Sequence, residues 1–351
     1  MVNAMSMSKL ESTLERLYKS PAPKREDIEN LLAVTSTCEL NRLFEYADQV
    51  RKNIMGDGVL VRGIVEFSNL CSNHCAYCGL HSANKDLERY RMTTEEIIDS
   101  VKNMASFGIK TVVLQSGEDH ELDPVWIKAL IEEIKRQYGI AVTLALGEWS
   151  KDEYRLWRDA GADRYLLKIE TTNKDHYEAL HPGMSFENRL RCLSDLRELG
   201  YQAGSGVIVG LKGQTIGMLA KDILFFAKER FDMIGIGPFI PHPETRLSDE
   251  RLGDGIMTLK VLALTRIITK RAHLPATTAL GNIANDMRSE ALKCGANVMM
   301  PNFTPDKYKA MYELYPRERY LHDTTKKCVD RVSAIASSAG RQIDYSRGDA
   351  I

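Results

Sequence analysis

No charge of either sign dominates this chain. Its 351 residues carry 47 basic and 48 acidic side chains, a formal net charge of -1 with no long run of one sign. No strong field is therefore available to recruit a polyanion, and a nucleic-acid partner is not expected. Any stretch approaching the length needed to cross a bilayer is also lacking, and the opening MVNAMSMSKL has no charged start, apolar core or small-residue cleavage site of a secretory signal. A soluble, cytoplasmic protein with no membrane contact is the expectation. Cysteines are too few and too unevenly placed for a disulfide framework. The seven are Cys38, Cys71, Cys75, Cys78, Cys192, Cys294 and Cys328, an odd number with three crowded together. That pattern suits metal ligation in a reducing compartment.

The length fits one large domain with terminal extensions. Up to about residue 55, LESTLERLYK, PAPKREDIENLL and LNRLFEYADQVRKNIM carry the three- and four-residue apolar spacing of helices. From residue 59 short β-branched runs alternate with longer amphipathic segments, the pattern of βα units around a parallel sheet. Eight runs are strand candidates: 59–67, 110–117, 141–147, 164–170, 202–210, 233–240, 276–281 and 297–302. TTEEIIDSVKNMASFG between the first two opens on threonine, places acids in its first turn and ends on glycine, as a capped helix does. Eight units predict an α/β fold of the complete (β/α)₈ TIM-barrel type. It would have a helical N-terminal extension at 1–55, the barrel at 56–315 and a short C-terminal tail at 316–351 packing on it, with ASSAGRQIDYSRGDAI giving no strong periodicity. A doubly wound open sheet is the alternative. Polar residues follow or end most of the strands: Cys71, Gln115 to Glu118, Glu148, Glu170, Gln214, His242, Thr277, Thr278 and Asn302. In a barrel these converge on the C-terminal mouth, where active sites of the fold lie.

Cys71, Cys75 and Cys78 form a CxxxCxxC arrangement directly after the first barrel strand. Three thiolates on a short loop can bind three irons of a 4Fe–4S cube and leave the fourth without a protein ligand. An open iron is what S-adenosylmethionine (SAM) chemistry requires, since the amino and carboxylate groups of the methionine moiety can chelate it. A Cys₃His zinc site completed by His74 or His81 remains open, as does a redox CxxC pair. Tyr77, just before the last cysteine, can simply pack in the loop.

At these residues the chain resembles the radical SAM superfamily. Gln115-Ser116-Gly117-Glu118 resembles the segment whose backbone receives the methionine amine, and Gly206 to Gly210 with Gly213 and Gln214 resembles the glycine-containing motif near the adenine. The longer strings GIVEFSNLCSNHCAYCGL, LERYRMTTEEI, ADRYLLKIETTN, SFENRLRCL, GIGPFIPHPETRL and CGANVMMPNFTP, spread over about residues 45 to 316, resemble the HydE family of FeFe-hydrogenase maturases. The resemblance implies one 4Fe–4S cluster with an open iron site, and SAM cleaved reductively to a 5′-deoxyadenosyl radical. That radical would attack the sulfur of a cysteine-bound iron complex carrying carbonyl and cyanide, an Fe(CO)₂(CN) precursor of the diiron subcluster. Partners implied are the tyrosine-cleaving radical SAM maturase, the scaffold GTPase and a reduced electron donor. A methylornithine-synthase-like mutase is the competing enzyme reading, and a non-catalytic zinc-binding adaptor the competing reading of another class.

Residue by residue, the resemblance implies that Cys71, Cys75 and Cys78 hold the cluster. Tyr77, Gln115, Gly117, Glu118, Thr143, Glu170, Arg189 and Gly210 would bind SAM, Glu170 at its ribose or amine and Arg189 at its carboxylate. Arg164, Thr277 and Thr278 would anchor an amino-acid carboxylate, with Lys168 where related chains have arginine, and with Tyr312 and Tyr315 near the cavity floor. Lysine keeps the charge but loses the bidentate fork. Some members carry three C-terminal cysteines for an accessory cluster; here the tail offers only Cys328, so a single cubane is expected, with Cys38, Cys192, Cys294 and Cys328 as packing or surface residues.

Overall fold

The computed structural model describes residues 6–316 and 323–351. Three helices open it, α1 (Met7–Lys19), α2 (Arg25–Leu32) and α3 (Thr37–Met55). Each buries one stripe: Leu10, Leu14 and Leu17; Ile28, Leu31 and Leu32; Leu43, Ala47 and Val50. Residues three and four apart share a helix face, which is why the apolar spacing predicts these elements.

The run expected as one strand at 59–67 is two, β1 (Gly58–Val61) and β2 (Gly63–Ser68), which belong to different sheets. α4 (Thr94–Ser106) follows with the expected capping box, Thr93 and Glu96 satisfying each other's backbone N–H. The alternation then continues through β3 (Thr111–Ser116), α5 (Pro124–Tyr138), β4 (Ala141–Ala145), α6 (Lys151–Asp159), β5 (Arg164–Leu166), α7 (Lys174–Leu180), α8 (Phe186–Glu198), β6 (Gln202–Val209), α9 (Ile216–Glu229), β7 (Met233–Pro238) and α10 (Gly255–Thr269). β2 to β7 form a six-stranded sheet in sequence order, every pairing parallel. The first three helices are not set apart from it, since α2 packs on α9 and α3 along α10. Lys260 of α10 donates to the carbonyls of Leu32 and Val34 at the end of α2.

The candidate strand at 276–281 is a correction. Residues 278–282 form the short helix α11 (Thr278–Asn282), and the parallel bridges lie just upstream, His273 to Met233 and Pro275 to Val298. Six residues are too few to distinguish strand from helix by periodicity, and here the helix prevailed. After α12 (Arg288–Leu292), β8 (Val298–Met299) is only two residues long, and Asn302 bridges to Ile64 of β2. The ladder of β2–β7 is thus continued by single parallel bridges rather than by full strands.

Beyond α13 (Asp306–Lys309) the tail carries more order than its sequence suggested. α14 (Thr325–Ser338) buries Val329, Val332 and Ala336, and β9 (Gln342–Asp344) pairs with β1 in the three-stranded sheet β8-β1-β9. Among the described residues no helix is long and apolar enough to cross a membrane.

Candidate active site

Parallel strands end on one side of the sheet, and there the residues after β2 to β7 enclose a cavity of about 370 Å³. Its wall includes Cys71, Cys75 and Cys78 together with Tyr77, Gln115, Gly117, Glu118, Lys168, Glu170, Arg189, Thr277, Thr278, Tyr312 and Tyr315. Most residues singled out from sequence therefore meet in one place, although they span some 240 positions of chain.

The cysteine loop is held by its own backbone. Arg89, half-buried beside it, donates to the carbonyls of Asn69 (2.7 Å), Leu80 (2.9 Å), His81 (2.8 Å) and Asn84 (3.2 Å). Asn69 donates to Glu88 O and Met311 O, both at 2.7 Å. Ser72 N–H reaches Glu118 O (2.7 Å) and Ala76 N–H reaches Leu180 O (2.8 Å), which ties the loop to its neighbours. Gly117 allows this approach, because a Cβ there would lie 2.1 Å from Leu70 O and 2.8 Å from Cys71 Cβ. Burial is the main cause that pushes all three thiols up, Cys78 to about 12, with repulsion from neighbouring thiols adding to it at Cys75 and Cys78.

The Tyr77 hydroxyl lies 2.9 Å from His181 Nε2, and His181 Nδ1 lies 2.8 Å from Tyr177 O. A carbonyl only accepts, so Nδ1 carries the proton and Nε2 accepts from Tyr77. Burial pushes the imidazole down to about 3, so it stays neutral and the tyrosine ring is fixed. Gln115 donates to the Tyr312 hydroxyl (3.0 Å), joining one expected cofactor residue to one expected substrate residue.

The buried Arg189 guanidinium is already engaged. Nε donates to Glu148 Oε1 (2.6 Å), Nη1 donates to Lys168 O, and Asn188 donates to Glu148 Oε2 (2.6 Å). Glu148 N–H in turn donates to Glu118 Oε2 (2.8 Å), and burial raises the Glu118 carboxyl. Lys168 Nζ pairs with Glu170 Oε2 at 2.8 Å. Glu170 stands at φ +60, a left-handed backbone unusual for a residue with a side chain. It is held there by its N–H on Gly206 O (2.9 Å) and by Ile208 N–H on its own carbonyl (3.3 Å).

Three expected site residues do not line this cavity. Arg164 begins β5 rather than following it, so its fully buried guanidinium lies at the opposite, N-terminal end of the strands. There it donates to Gln202 Oε1 (3.0 Å), Thr111 Oγ1 (3.2 Å), Arg347 O (2.9 Å), Gly348 O (3.1 Å) and Asp349 Oδ1 (2.7 Å). Thr143 sits mid-strand in β4, two residues before the lining Ala145, with its buried hydroxyl unpartnered among the described residues. Gly210 is a turn glycine at φ +94, where a Cβ would lie 2.5 Å from Gly253 Cα; it serves chain packing and does not reach the cavity. The Cys₃His zinc alternative is not formed either. His81 Nε2 meets Glu244 O (2.6 Å) and His74 meets the Ser82 hydroxyl (3.0 Å). Among the described residues, no trio of His, Cys, Asp and Glu is grouped to hold a single metal ion.

With this geometry in hand, likeness to known proteins is informative. The radical SAM superfamily model matches residues 65–226. The [FeFe] hydrogenase maturase subunit HydE of Thermotoga maritima is 48% identical over 91% of this chain and 91% of its own length. The chain belongs to the HydE family of radical SAM enzymes. A 3-methylornithine synthase of Methanosarcina acetivorans is 25% identical over 98% of each chain. The crystal structure of methylornithine synthase (PylB) superposes with a TM-score of 0.85 at 24% identity, covering 96% of this chain and 98% of that one. The last likeness shows a shared fold and nothing finer.

Radical SAM membership implies a 4Fe–4S cluster and SAM, and the residues present fit both. Three half-buried thiols line one cavity, while the two histidines in and beside the loop are engaged elsewhere. A cubane spaces its ligands more widely than a single ion does and suits soft thiolates. The positive charge of iron would also outweigh the effect of burial that keeps these thiols protonated. Sequence reasoning missed Arg89 and Asn69, which hold the loop, His181, which fixes Tyr77, and the buried Glu66 in the cavity wall, while Glu148, expected at the mouth, proves to steady Arg189. Arg89 lay in a string quoted for its family likeness, but no local pattern marks a side chain that binds four distant carbonyls.

The loop after Glu170 carries a pH dependence. Asp222 of α9 is fully buried, and its Oδ1 accepts from Thr172 N–H (2.7 Å) and Oγ1 (2.6 Å) while Oδ2 has no partner among the described residues. Burial pushes its carboxyl from 3.8 up to about 6. Between these values the folded protein binds a proton that the unfolded chain releases, so stability falls as pH rises through the window. The full cost, of order 3 kcal/mol, is present above about pH 6. An Asp222→Asn variant is therefore expected to melt higher than the parent near pH 7.5 and to lose the slope between about pH 4 and 6. Thermal unfolding across that range checks it, and parallel curves for the two proteins would refute it.

Proposed function

We propose that this chain is a maturase of FeFe-hydrogenase that uses a radical to help assemble the diiron subcluster. The observation that carries the reading is the convergence of Cys71, Cys75 and Cys78 with Lys168, Glu170, Arg189 and Thr277 on one cavity, in a chain 48% identical to a HydE maturase subunit. The isolated bridges from β7 through 273–275 and 298–302 back to β2 support a complete eight-membered ring around that cavity.

Cys71, Cys75 and Cys78 would hold the cluster, which with SAM bound supplies an electron for C–S cleavage and thereby a 5′-deoxyadenosyl radical. The chain's own residues bind and orient. Arg189, steadied by Glu148, presents a fixed positive charge and its remaining N–H donors to the methionine carboxylate. Tyr77, fixed by His181, offers a flat face for the adenine. Lys168, Thr277 and Thr278 face the amino-acid carboxylate of a cysteine-bound Fe(CO)₂(CN) substrate, whose sulfur the radical attacks, and Tyr312 and Tyr315 close the wall beside Gln115. The apolar lining from Ile64, Leu166, Ile208, Pro238, Phe239 and Met300 limits competing water. A reduced electron donor, the tyrosine-cleaving radical SAM maturase upstream and the scaffold GTPase downstream complete the scheme.

An anaerobic assay with dithionite, SAM and the cysteine-bound iron complex tests the reading, with adenosyl adducts followed by mass spectrometry. Cys75→Ala is expected to abolish deoxyadenosine formation, because two thiolates hold a cubane poorly. Undiminished SAM cleavage in that variant, or accumulation of methylornithine from lysine and SAM by the parent, would reject it.

A further inference from the structure

We propose that the Lys168–Glu170 ion pair couples the two ligand subsites of the cavity, so that SAM and an amino-acid carboxylate bind cooperatively. The inference rests on the assignment of those subsites above and adds how one regulates the other.

Lys168 Nζ and Glu170 Oε2 stand 2.8 Å apart, both on the cavity wall, with side chains 29% and 11% exposed. Neither group can swing far. Glu170 is locked in its left-handed conformation between Gly206 and Ile208, with a parallel bridge to Val207. Lys168 extends across glycines: a Cβ at Gly206 would lie 2.8 Å from its Cε, and one at Gly235 would lie 3.8 Å away. Further along the same strand, a Cβ at Gly237 would meet Thr277 Oγ1 at 3.2 Å, so the lysine runs over the strands that lead to the threonine pair. Arg189 does not substitute for Lys168, since it is committed to Glu148.

The chemistry then follows from charge. SAM brings a sulfonium, ribose hydroxyls and an amine whose N–H groups remain donors when it chelates iron, which are what a carboxylate receives. An amino-acid substrate brings a carboxylate, which is what an ammonium receives. In the free protein Lys168 and Glu170 satisfy each other. Either ligand alone takes one member and strands the other, and a mostly buried charge without a partner is costly. Both ligands together replace one ion pair with two. Binding of each therefore favours the other by the same factor, as linkage demands.

The test measures the SAM dissociation constant of the full-length, anaerobically reconstituted protein by equilibrium dialysis, with and without saturating L-cysteine as the carboxylate probe. In the parent, cysteine is expected to tighten SAM binding about fivefold or more. Lys168→Met is expected to bind SAM about fivefold more tightly than the parent without cysteine and to show no response to it. Lys168→Arg restores the response, which a purely structural role for the pair would not require. Should the methionine variant fail to load iron, Lys168→Gln takes its place. Parent SAM affinity untouched by cysteine, a Lys168→Met protein that binds SAM equally or less tightly, or a response surviving in that variant each overturns the coupling. Absence of SAM binding by a parent protein with full iron content overturns instead the cavity assignment on which it rests.

Discussion

A Gly117→Ala variant is expected to lose its cluster and with it SAM cleavage. The added methyl would sit 2.1 Å from Leu70 O and 2.8 Å from Cys71 Cβ, and neither atom is the far end of a flexible side chain. Retreat is blocked on both sides. Gly117 N–H is tied to Ser68 O (3.1 Å) and Ser72 N–H to Glu118 O (2.7 Å), so β3 and the cysteine loop must part. Overpacking of this kind costs about 1–3 kcal/mol, which the rest of the fold can absorb. The displacement of Cys71 by an ångström or so is the larger effect, since misplacement on that scale costs on the order of a hundredfold in rate. Iron content after anaerobic reconstitution and deoxyadenosine yield are the readouts. Gly139→Ala, where a Cβ meets open space although φ is +60, is a control that strains the backbone away from the loop and should keep the cluster. Normal iron loading and turnover in Gly117→Ala would show that the loop is not packed as described.

The second large effect is one of stability. Arg164→Ala removes a fully buried guanidinium that binds Thr111, Gln202 and three consecutive residues of the C-terminal tail, Arg347, Gly348 and Asp349. Arg62, also buried, donates to Gly348 O (3.1 Å), and Thr111 Oγ1 donates to Arg347 O (3.0 Å), so the tail is clamped beneath the N-terminal edges of the strands. Five hydrogen bonds are lost, each worth about 0.5–1.5 kcal/mol, while the Asp349 carboxylate left behind is 43% exposed and stays hydrated. The variant should melt well below the parent and should expose the tail to proteases. Folded protein at low temperature should still bind SAM with parental affinity, because Arg164 lies outside the cavity. A variant that keeps its melting temperature but loses substrate affinity would return Arg164 to the substrate site.

Arg164 and Lys168 show why one was misplaced from sequence and the other was not. They are four residues apart, and side chains at even spacing share a strand face, so both project to the same side of the sheet. At about 3.3 Å per residue they are separated by roughly 13 Å along it. Face could be read from the pattern, but depth could not, because it depends on where pairing with β4 and β6 begins. That register starts at Arg164, opposite Thr143 and Gln202, which puts the arginine at the entry of the strand and Lys168 past its exit. Thr143 was misplaced for the same reason. The segment 276–281 failed differently, since the six residues Ala-Thr-Thr-Ala-Leu-Gly are compatible with strand or helix until their neighbours choose.

What the sequence determined by itself is local. The three cysteines share one short loop, the amphipathic helices and the Thr93–Glu96 cap follow from spacing, and the polar residues after β2 to β5 fall on one side once the strands are parallel. What only the tertiary structure decided is which distant groups meet: Arg89 with four loop carbonyls, Glu148 with Arg189, His181 with Tyr77, Lys168 with Glu170, and the tail with Arg164. Local order arises from backbone propensity and periodicity, which neighbouring residues encode. Long-range pairs instead arise from strand register and close packing, which no short window of sequence contains.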